Sequence, residues 1–172
     1  MVCIGGRGIA AIAGGVWGTN MNTVETKAVV RTKDEGELLS VLGHRARVVL
    51  SKRDTGGALS MFDYSSPQGS GVPPHIHMNE DEIWFVLEGA IEVTIEGVTH
   101  RVEPGGVAYG PRGIEHAFMC VGKGTNRFIL LTTPGGFEDF FRDVDAETTG
   151  PGTPAMGRVL ELVSKHGMTM RA

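Results

Sequence analysis

The chain has 172 residues, of which 41% are apolar and 21% are charged, and its formal net charge at neutral pH is −4. This length suits one domain with appendages, and the acidic balance offers no basic face for nucleic acid. No apolar run reaches the roughly 18 residues of a membrane span, so no membrane partner is expected. Two distant cysteines, Cys3 and Cys120, give no disulfide framework, which predicts a reducing, cytoplasmic location.

Residues 1–22 differ in composition from the rest of the chain. Residues 1–20 are rich in glycine and alanine, and Met21 precedes an ordinary polar sequence, so it is an alternative start. A signal peptide would have Arg7 at its charged end and residues 8–18 as its apolar stretch. That stretch is short, is broken by glycines and lacks a cleavage pattern. We therefore predict a disordered leader or an N-terminal arm over residues 1–22.

From residue 23 the pattern is mainly that of β-strands. Short β-prone runs are found at residues 27–31, 45–50, 58–64, 90–95, 98–102, 107–110 and 126–133. Glycine-containing turns separate them, and Glu96-Gly97 predicts a tight hairpin turn. Short strands at this spacing favour an all-β sandwich or barrel over residues 23–134, and not alternating strands and helices.

A candidate metal site lies in residues 69–89. His75 and His77 are two residues apart, so in an extended strand both imidazoles point to the same face. Two prolines immediately before His75 favour a strand that begins there. Glu82 begins the next strand and can face back toward the two histidines. Imidazole and carboxylate ligands together favour a divalent transition metal.

A second segment, residues 105–121, supplies His116 at the start of another apolar run. The two segments resemble the two motifs of the cupin superfamily, G(X)5HXH(X)3,4E(X)6G and G(X)5PXG(X)2H(X)3N. The matching residues are Gly69, His75, His77, Glu82 and Gly89 in the first motif and Gly105, Pro111, Gly113 and His116 in the second, where Cys120 replaces the closing asparagine. Glu82, and not Glu80 or Asp81, fits the motif spacing.

The resemblance implies a double-stranded β-helix, or jelly roll, with His75, His77, Glu82 and His116 as metal ligands. The alternative for these four residues is a hydrogen-bonded polar network that holds no metal. The run 81–89 and the segment 134–138 are similar in particular to small quercetin-dioxygenase-type cupins. This likeness implies a dioxygenase that acts on an enol or flavonol-like small molecule. The implied metal is Fe²⁺, with Ni²⁺, Mn²⁺, Co²⁺ or Zn²⁺ as alternatives.

Helical periodicity is found only near the C-terminus. Phe137, Phe140, Phe141 and Val144 form one apolar stripe, and Met156, Val159, Leu160 and Val163 form another on a helix expected to run from residues 153–154 to 167. We predict that residues 135–172 form a helical extension that covers the barrel. The alternative is that the phenylalanines line a substrate pocket.

Strand parity also suggests which residues accompany the metal site. Phe118 shares a face with His116, and Trp84 shares a face with Glu82. With Met61, these two aromatic residues are candidate substrate-binding residues. The remaining histidines His44, His100 and His166, together with Arg112 and Glu115, are expected at the surface.

In the mechanism that the resemblance implies, Glu82 is both a metal ligand and the general base that deprotonates an enol. A metal-dependent isomerase, lyase or polyketide cyclase could use the same site, and a non-catalytic small-molecule-binding protein is a further alternative. We also expect a homodimer in which residues around 23–31 cross to the partner, because pairing would cover an open sheet edge.

Overall fold

The computed structural model describes residues 28–148 and 155–170. The predicted leader at residues 1–22 lies outside these ranges, as do residues 23–27 of the predicted crossing arm and the predicted start of the last helix at residues 153–154. Within the described residues, no helix is long and apolar enough to cross a membrane.

Two antiparallel sheets form the fold. The first contains β1 (Glu37–Val41), β2 (His44–Leu50), β3 (Ser60–Pro67), β10 (Thr125–Thr133), β5 (Asp81–Glu88) and β8 (Val107–Gly110), in that spatial order. The second contains β11 (Met168–Met170), β4 (Gly71–His77), β9 (His116–Cys120), β6 (Ile91–Ile95) and β7 (Val98–Val102). The predicted all-β jelly roll is confirmed.

The core lies between the two sheets because apolar side chains alternate along their strands. The first sheet contributes a layer of large buried side chains, which includes Phe62, Trp84 and Phe128. Ile91 and Val93 of β6 face them from the second sheet and are also fully buried. The predicted hairpin turn joins β6 to β7, and both of its residues, Glu96 and Gly97, have positive φ angles of 48° and 81°. These angles match the turn that suits the twist of a hairpin.

The structure corrects the predictions for the N-terminal strands. Residues 28–31 form no strand, and Arg31 instead donates hydrogen bonds to the Val49 carbonyl and the Asp54 carboxylate. The edge strand is β1, whose pattern of two buried residues among exposed ones gave little periodicity. A short helix, α1 (Lys52–Thr55), was also missed. Its N-cap Ser51 forms a reciprocal capping box with Asp54, a signal that the sequence did contain.

Both predicted C-terminal helices exist, as α2 (Glu138–Thr148) and α3 (Met156–Lys165). The first predicted stripe is buried, with Phe137 immediately before α2 and the other three residues within it. In α3 the predicted face is partly wrong, because Met156 and Leu160 are 68% and 45% exposed and Leu162 is buried with Val159 and Val163. After α3 the chain adds β11 to the edge of β4. The predicted helical extension thus contributes a strand to the sheet that carries three of the four candidate ligands.

Candidate metal centre

The four predicted ligands converge at one place between the sheets. His75 and His77 end β4, Glu82 is the second residue of β5, and His116 begins β9. All four side chains are buried, and one ligand atom of each lies within 4.8 Å of the ligand atoms of the others. We call these residues the histidine–glutamate cluster. The register of β4 and β9 explains part of this convergence, because His75 and His116 are directly paired.

The distances inside the cluster fit a metal ion. His75 Nε2 lies 3.1 Å from His77 Nε2, and His116 Nε2 lies 3.1 Å from Glu82 Oε2. His77 Nε2 lies 3.8 Å from the same carboxylate oxygen. An ion with bonds of about 2.1 Å holds ligand atoms at right angles about 3 Å apart. The cluster could therefore hold one divalent transition metal.

Two of the imidazole rings are oriented by backbone carbonyls. His75 Nδ1 lies 2.9 Å from the Pro73 carbonyl oxygen, and His116 Nδ1 lies 3.0 Å from that of Ile114. A carbonyl can only accept a hydrogen bond, so in both rings the Nδ1–H donates. The lone pair is then on Nε2, which is the nitrogen that faces the cluster. Both rings are therefore in the tautomer that a metal ligand needs.

His77 has a different partner. Its Nδ1 lies 3.5 Å from Glu80 Oε2, and both atoms are enclosed without a conventional hydrogen bond in the described part of the chain. A carboxylate behind a ligand histidine fixes the ring and makes it more basic. On one side, the Phe137 ring lies 4.9 Å from the His77 ring. Glu80 does not fit the motif spacing of a ligand, but its position three residues after His77 was visible in the sequence.

Burial and the neighbouring charges shift the pKa values of three residues of the cluster. Burial lowers the pKa of His75 to about 4, so this imidazole is neutral. Burial also opposes the charged form of His77, but the carboxylates of Glu82 and Glu80 outweigh it and raise its pKa. For Glu82, burial alone would raise the pKa, but the neighbouring imidazoles of His77 and His116 lower it. Glu82 is therefore an ionised carboxylate within reach of three imidazoles.

Trp84 packs against His116, one of the four residues of the cluster. Its ring lies 5.4 Å from the His116 ring at an interplanar angle of 75°. Gly110 of β8 allows this approach, because a Cβ there would lie 3.0 Å from His116 Nδ1 and 3.1 Å from the indole. Any larger residue would have to displace one of these rings. Trp84 is a packing partner of the ligand His116, and it is not among the residues that line the adjacent cavity.

This central cavity has a volume of about 200 Å³ and opens from the cluster into the interior of the barrel. Three of the four cluster residues line it, and its other lining is mostly apolar. The lining residues are Val41, Leu42, His44, Tyr64, Gly71, Val72, Pro73, His75, His77, Glu82, Phe118, Leu130, Phe137, Phe140, Phe141, Met156, Val159, Val163, Met168 and Met170.

Of the three predicted substrate-binding residues, only Phe118 lines this cavity. Met61 points to the other side of β3, because its neighbours Ser60 and Phe62 are the residues that face inward. The predicted phenylalanines of the C-terminal extension both pack in the core and line the cavity. The two alternatives for them are therefore compatible.

The surface prediction for His44 is wrong. His44 is buried, its Nδ1 lies 2.5 Å from Ser66 Oγ, and its ring lies 5.4 Å from that of Tyr64. His44 and Tyr64 both line the cavity, and neither has a sequence spacing that relates it to the ligands. Only the inward parity of Tyr64 with Phe62 on β3 could have identified Tyr64.

The other surface predictions have mixed outcomes. His100 is exposed, as predicted, whereas His166 is half-buried and pairs with Asp143 at 2.6 Å. Arg112 is exposed, but its side chain donates hydrogen bonds to the Asp81 carboxylate and the Thr133 carbonyl. Glu115 is half-buried. Arg112 therefore ties the loop before His116 to the strand that carries Glu82.

Comparison with known proteins supports the motif assignment. The family model described as a cupin domain matches residues 63–132. Quercetin 2,3-dioxygenase of Bacillus subtilis is 26% identical over 108 residues, which are 63% of this chain and 32% of that protein. Germin-like protein 1-4 of Oryza sativa subsp. japonica is 35% identical over 78 residues, which are 40% of this chain and 33% of that protein. The chain thus spans about a third of the length of these two relatives.

A solved structure gives the same fold. KdgF from Halomonas sp. superposes with a TM-score of 0.59 and 23% identity, covering 66% of this chain and 99% of that one. At this identity the likeness concerns the fold alone. The motif spacing and the matching family model identify residues 63–132 as a cupin domain, and the paired sheets and this superposition agree with that fold.

Proposed function

We propose that this protein is a metal-dependent dioxygenase that acts on an enol-bearing small organic molecule. The observation that carries the proposal is a buried cluster of three histidines and one carboxylate that opens into an apolar cavity. The likeness to quercetin 2,3-dioxygenase supports it, although it covers a third of that protein. Fe²⁺ is the proposed metal, with Ni²⁺, Mn²⁺, Co²⁺ or Zn²⁺ as alternatives that suit the same ligands.

The proposed ligands are His75, His77, Glu82 and His116. When bound there, the metal would lower the pKa of a substrate hydroxyl and allow chemistry with dioxygen, the co-substrate. The chain supplies the imidazole lone pairs, which the Pro73 and Ile114 carbonyls direct. Four protein ligands leave part of an octahedral coordination sphere open for a substrate.

Glu82 is proposed as the general base. Its carboxylate lines the cavity, is ionised, and lies 3.1 Å from His116 Nε2 and 3.8 Å from His77 Nε2. A substrate hydroxyl placed beside it would donate its proton to the carboxylate oxygen. The apolar cavity walls, which include Phe118 and Phe137, would exclude water from the resulting anion.

The same proton transfer would serve a metal-dependent isomerase, lyase or cyclase, which needs no dioxygen. The geometry of Glu82 supports this second candidate as well, because proton abstraction is the first step in both. The measurement that separates the two is oxygen consumption. A protein that binds an enol and changes it in neither way would instead be a small-molecule-binding protein.

The test is an oxygen-electrode assay of the metal-loaded chain with a panel of enols, diketones and flavonols. We expect oxygen uptake that falls about 10²- to 10⁴-fold in Glu82→Gln at saturating metal, the usual contribution of a positioned general base. The matched control is Glu92→Gln, which changes a carboxylate on the outward side of β6 and should leave the rate unchanged. Turnover without oxygen uptake would favour the isomerase or lyase. Near-wild-type turnover in metal-saturated Glu82→Gln would remove Glu82 from the mechanism.

A further inference from the structure

The central cavity has polar side chains besides those of the histidine–glutamate cluster. Among the described residues that line it, the polar side chains outside the cluster are His44 and Tyr64, and none is a lysine or an arginine. A ligand that fills the cavity would therefore contact the cluster at one place and apolar walls along most of its length. Its remaining polar contacts would be with Tyr64 and His44. These features limit the charge and the size of the ligand.

Tyr64 is a hydrogen-bond donor without a partner among residues 28–148 and 155–170. It is 2% exposed, and its ring packs on Phe128 at 5.0 Å, on Phe141 at 6.0 Å and on Phe118 at 6.1 Å. Its hydroxyl makes no hydrogen bond within the described residues, although it lines the cavity. Burial raises its pKa well above the usual value, so the hydroxyl keeps its proton. A tyrosine hydroxyl in an otherwise apolar cavity usually finds a hydrogen-bond partner, and a ligand oxygen would supply one.

His44 does not supply a charge to the cavity. Its Nδ1 is already engaged with Ser66 Oγ at 2.5 Å. Burial lowers its pKa, so the imidazole is neutral near pH 7. A carboxylate or phosphate on the part of the ligand that lies away from the cluster would therefore have no counter-ion. Burial of an unpaired charge is strongly unfavourable, which selects against such ligands.

The volume of the cavity limits the size of the ligand. At about 200 Å³ it is larger than the roughly 150 Å³ cavity that holds benzene in another protein. It is smaller than the roughly 300–1,000 Å³ sites that enclose drug-sized molecules. One aromatic ring with short substituents fits this range, whereas a three-ring flavonol would extend through the mouth, where Leu42 and Met156 are exposed.

We propose that the cavity binds a neutral, single-ring aromatic chelator with two adjacent oxygens, of the catechol type. The two oxygens would face the histidine–glutamate cluster, the ring would pack against Phe118 and Phe137, and the Tyr64 hydroxyl would donate a hydrogen bond to the ligand. Tyr64 is thus a positioning residue. This inference rests on the proposed function, because it uses the same site, but it concerns binding and needs no turnover.

The experiment measures binding by calorimetry to the full chain loaded with Zn²⁺, which is redox-silent, under anaerobic conditions. The probes are catechol, 3,4-dihydroxybenzoate, 3-hydroxyflavone and phenol. Catechol should bind at least about tenfold more tightly than 3,4-dihydroxybenzoate, whose additional carboxylate would be buried without a partner. It should also bind more tightly than 3-hydroxyflavone, which is too large, and than phenol, which lacks the chelating pair.

Tyr64→Phe keeps the ring and removes the hydroxyl, so it should weaken catechol binding about 2- to 10-fold with unchanged zinc content. The control is Tyr109→Phe on the exposed side of β8, which should bind catechol as the wild type does. Unchanged affinity in Tyr64→Phe would overturn the role of Tyr64. Equal or tighter binding of the carboxylated or three-ring probe, or no catechol binding, would overturn the ligand class. Catechol binding without turnover of any enol would leave this inference standing and overturn the dioxygenase, whereas turnover of flavonols alone would do the reverse.

Discussion

Phe137 connects the C-terminal extension to the proposed metal site, and its replacement tests whether that contact stabilises the protein. The side chain is 4% exposed, and its ring lies 4.9 Å from the rings of His77 and Phe141 and 5.3 Å from that of Phe140. Phe137→Ala removes these contacts and leaves a cavity. Substitutions of this kind cost about 3–5 kcal/mol. For a chain of this length, each kcal/mol lowers Tm by about 2–4 °C.

We therefore expect Tm to fall by about 6–20 °C in Phe137→Ala, measured by scanning calorimetry. Phe137→Leu should recover most of the loss, since it restores apolar contact. The matched control is Phe85→Ala on the outer face of β5, where the ring is 37% exposed and the loss should be clearly smaller. A fall of less than about 2 °C in Phe137→Ala would refute the claim that this ring anchors the extension.

Three further predictions concern other parts of the chain. Glu80→Gln should weaken zinc binding several-fold in a competition titration, because it removes the carboxylate beside His77 Nδ1, and unchanged affinity would argue against that role. The pKa of Asp54 is lowered to about 2, chiefly by its hydrogen bond with Arg31, so the pair should contribute about 1 kcal/mol above pH 4. That contribution should disappear between about pH 4 and pH 2, and chemical denaturation should show the stability difference between wild type and Asp54→Asn shrinking over the same range. Light scattering at micromolar concentration should give twice the chain mass of 18.3 kDa if residues 23–31 cross to a partner, and a monomer would contradict this.

The ligand cluster could be predicted because its information is local. His75 and His77 are related by strand parity, and the motif spacing selects Glu82 over its acidic neighbours. His116 needed the second motif, since its pairing with His75 is a long-range contact that periodicity does not reveal. The jelly-roll fold was predicted from the family resemblance, because composition and strand spacing favoured only an all-β sandwich or barrel.

The cavity could not be predicted in the same way, because its lining comes from elements distant in sequence. His44 is buried because β2 and β3 place it beside Ser66 and Tyr64, and nothing in its neighbourhood indicates that contact. The buried face of α3 depended on docking beside β11. Periodicity placed Leu160 on the buried face, whereas in the structure Leu162 is buried there instead. Trp84 is buried as predicted, but it packs against Gly110 and His116 and does not line the cavity.

The central claim is that the histidine–glutamate cluster holds one metal ion, and the most direct test is the metal content of the full chain after reloading and dialysis, measured by mass spectrometry. We expect about one equivalent of divalent metal per chain in the wild type and in His100→Ala, whose histidine is exposed on β7. The double variant His75→Ala, His77→Ala loses two of the four ligands and should retain almost none. Full occupancy in that double variant would contradict the account, because the metal would then lie elsewhere.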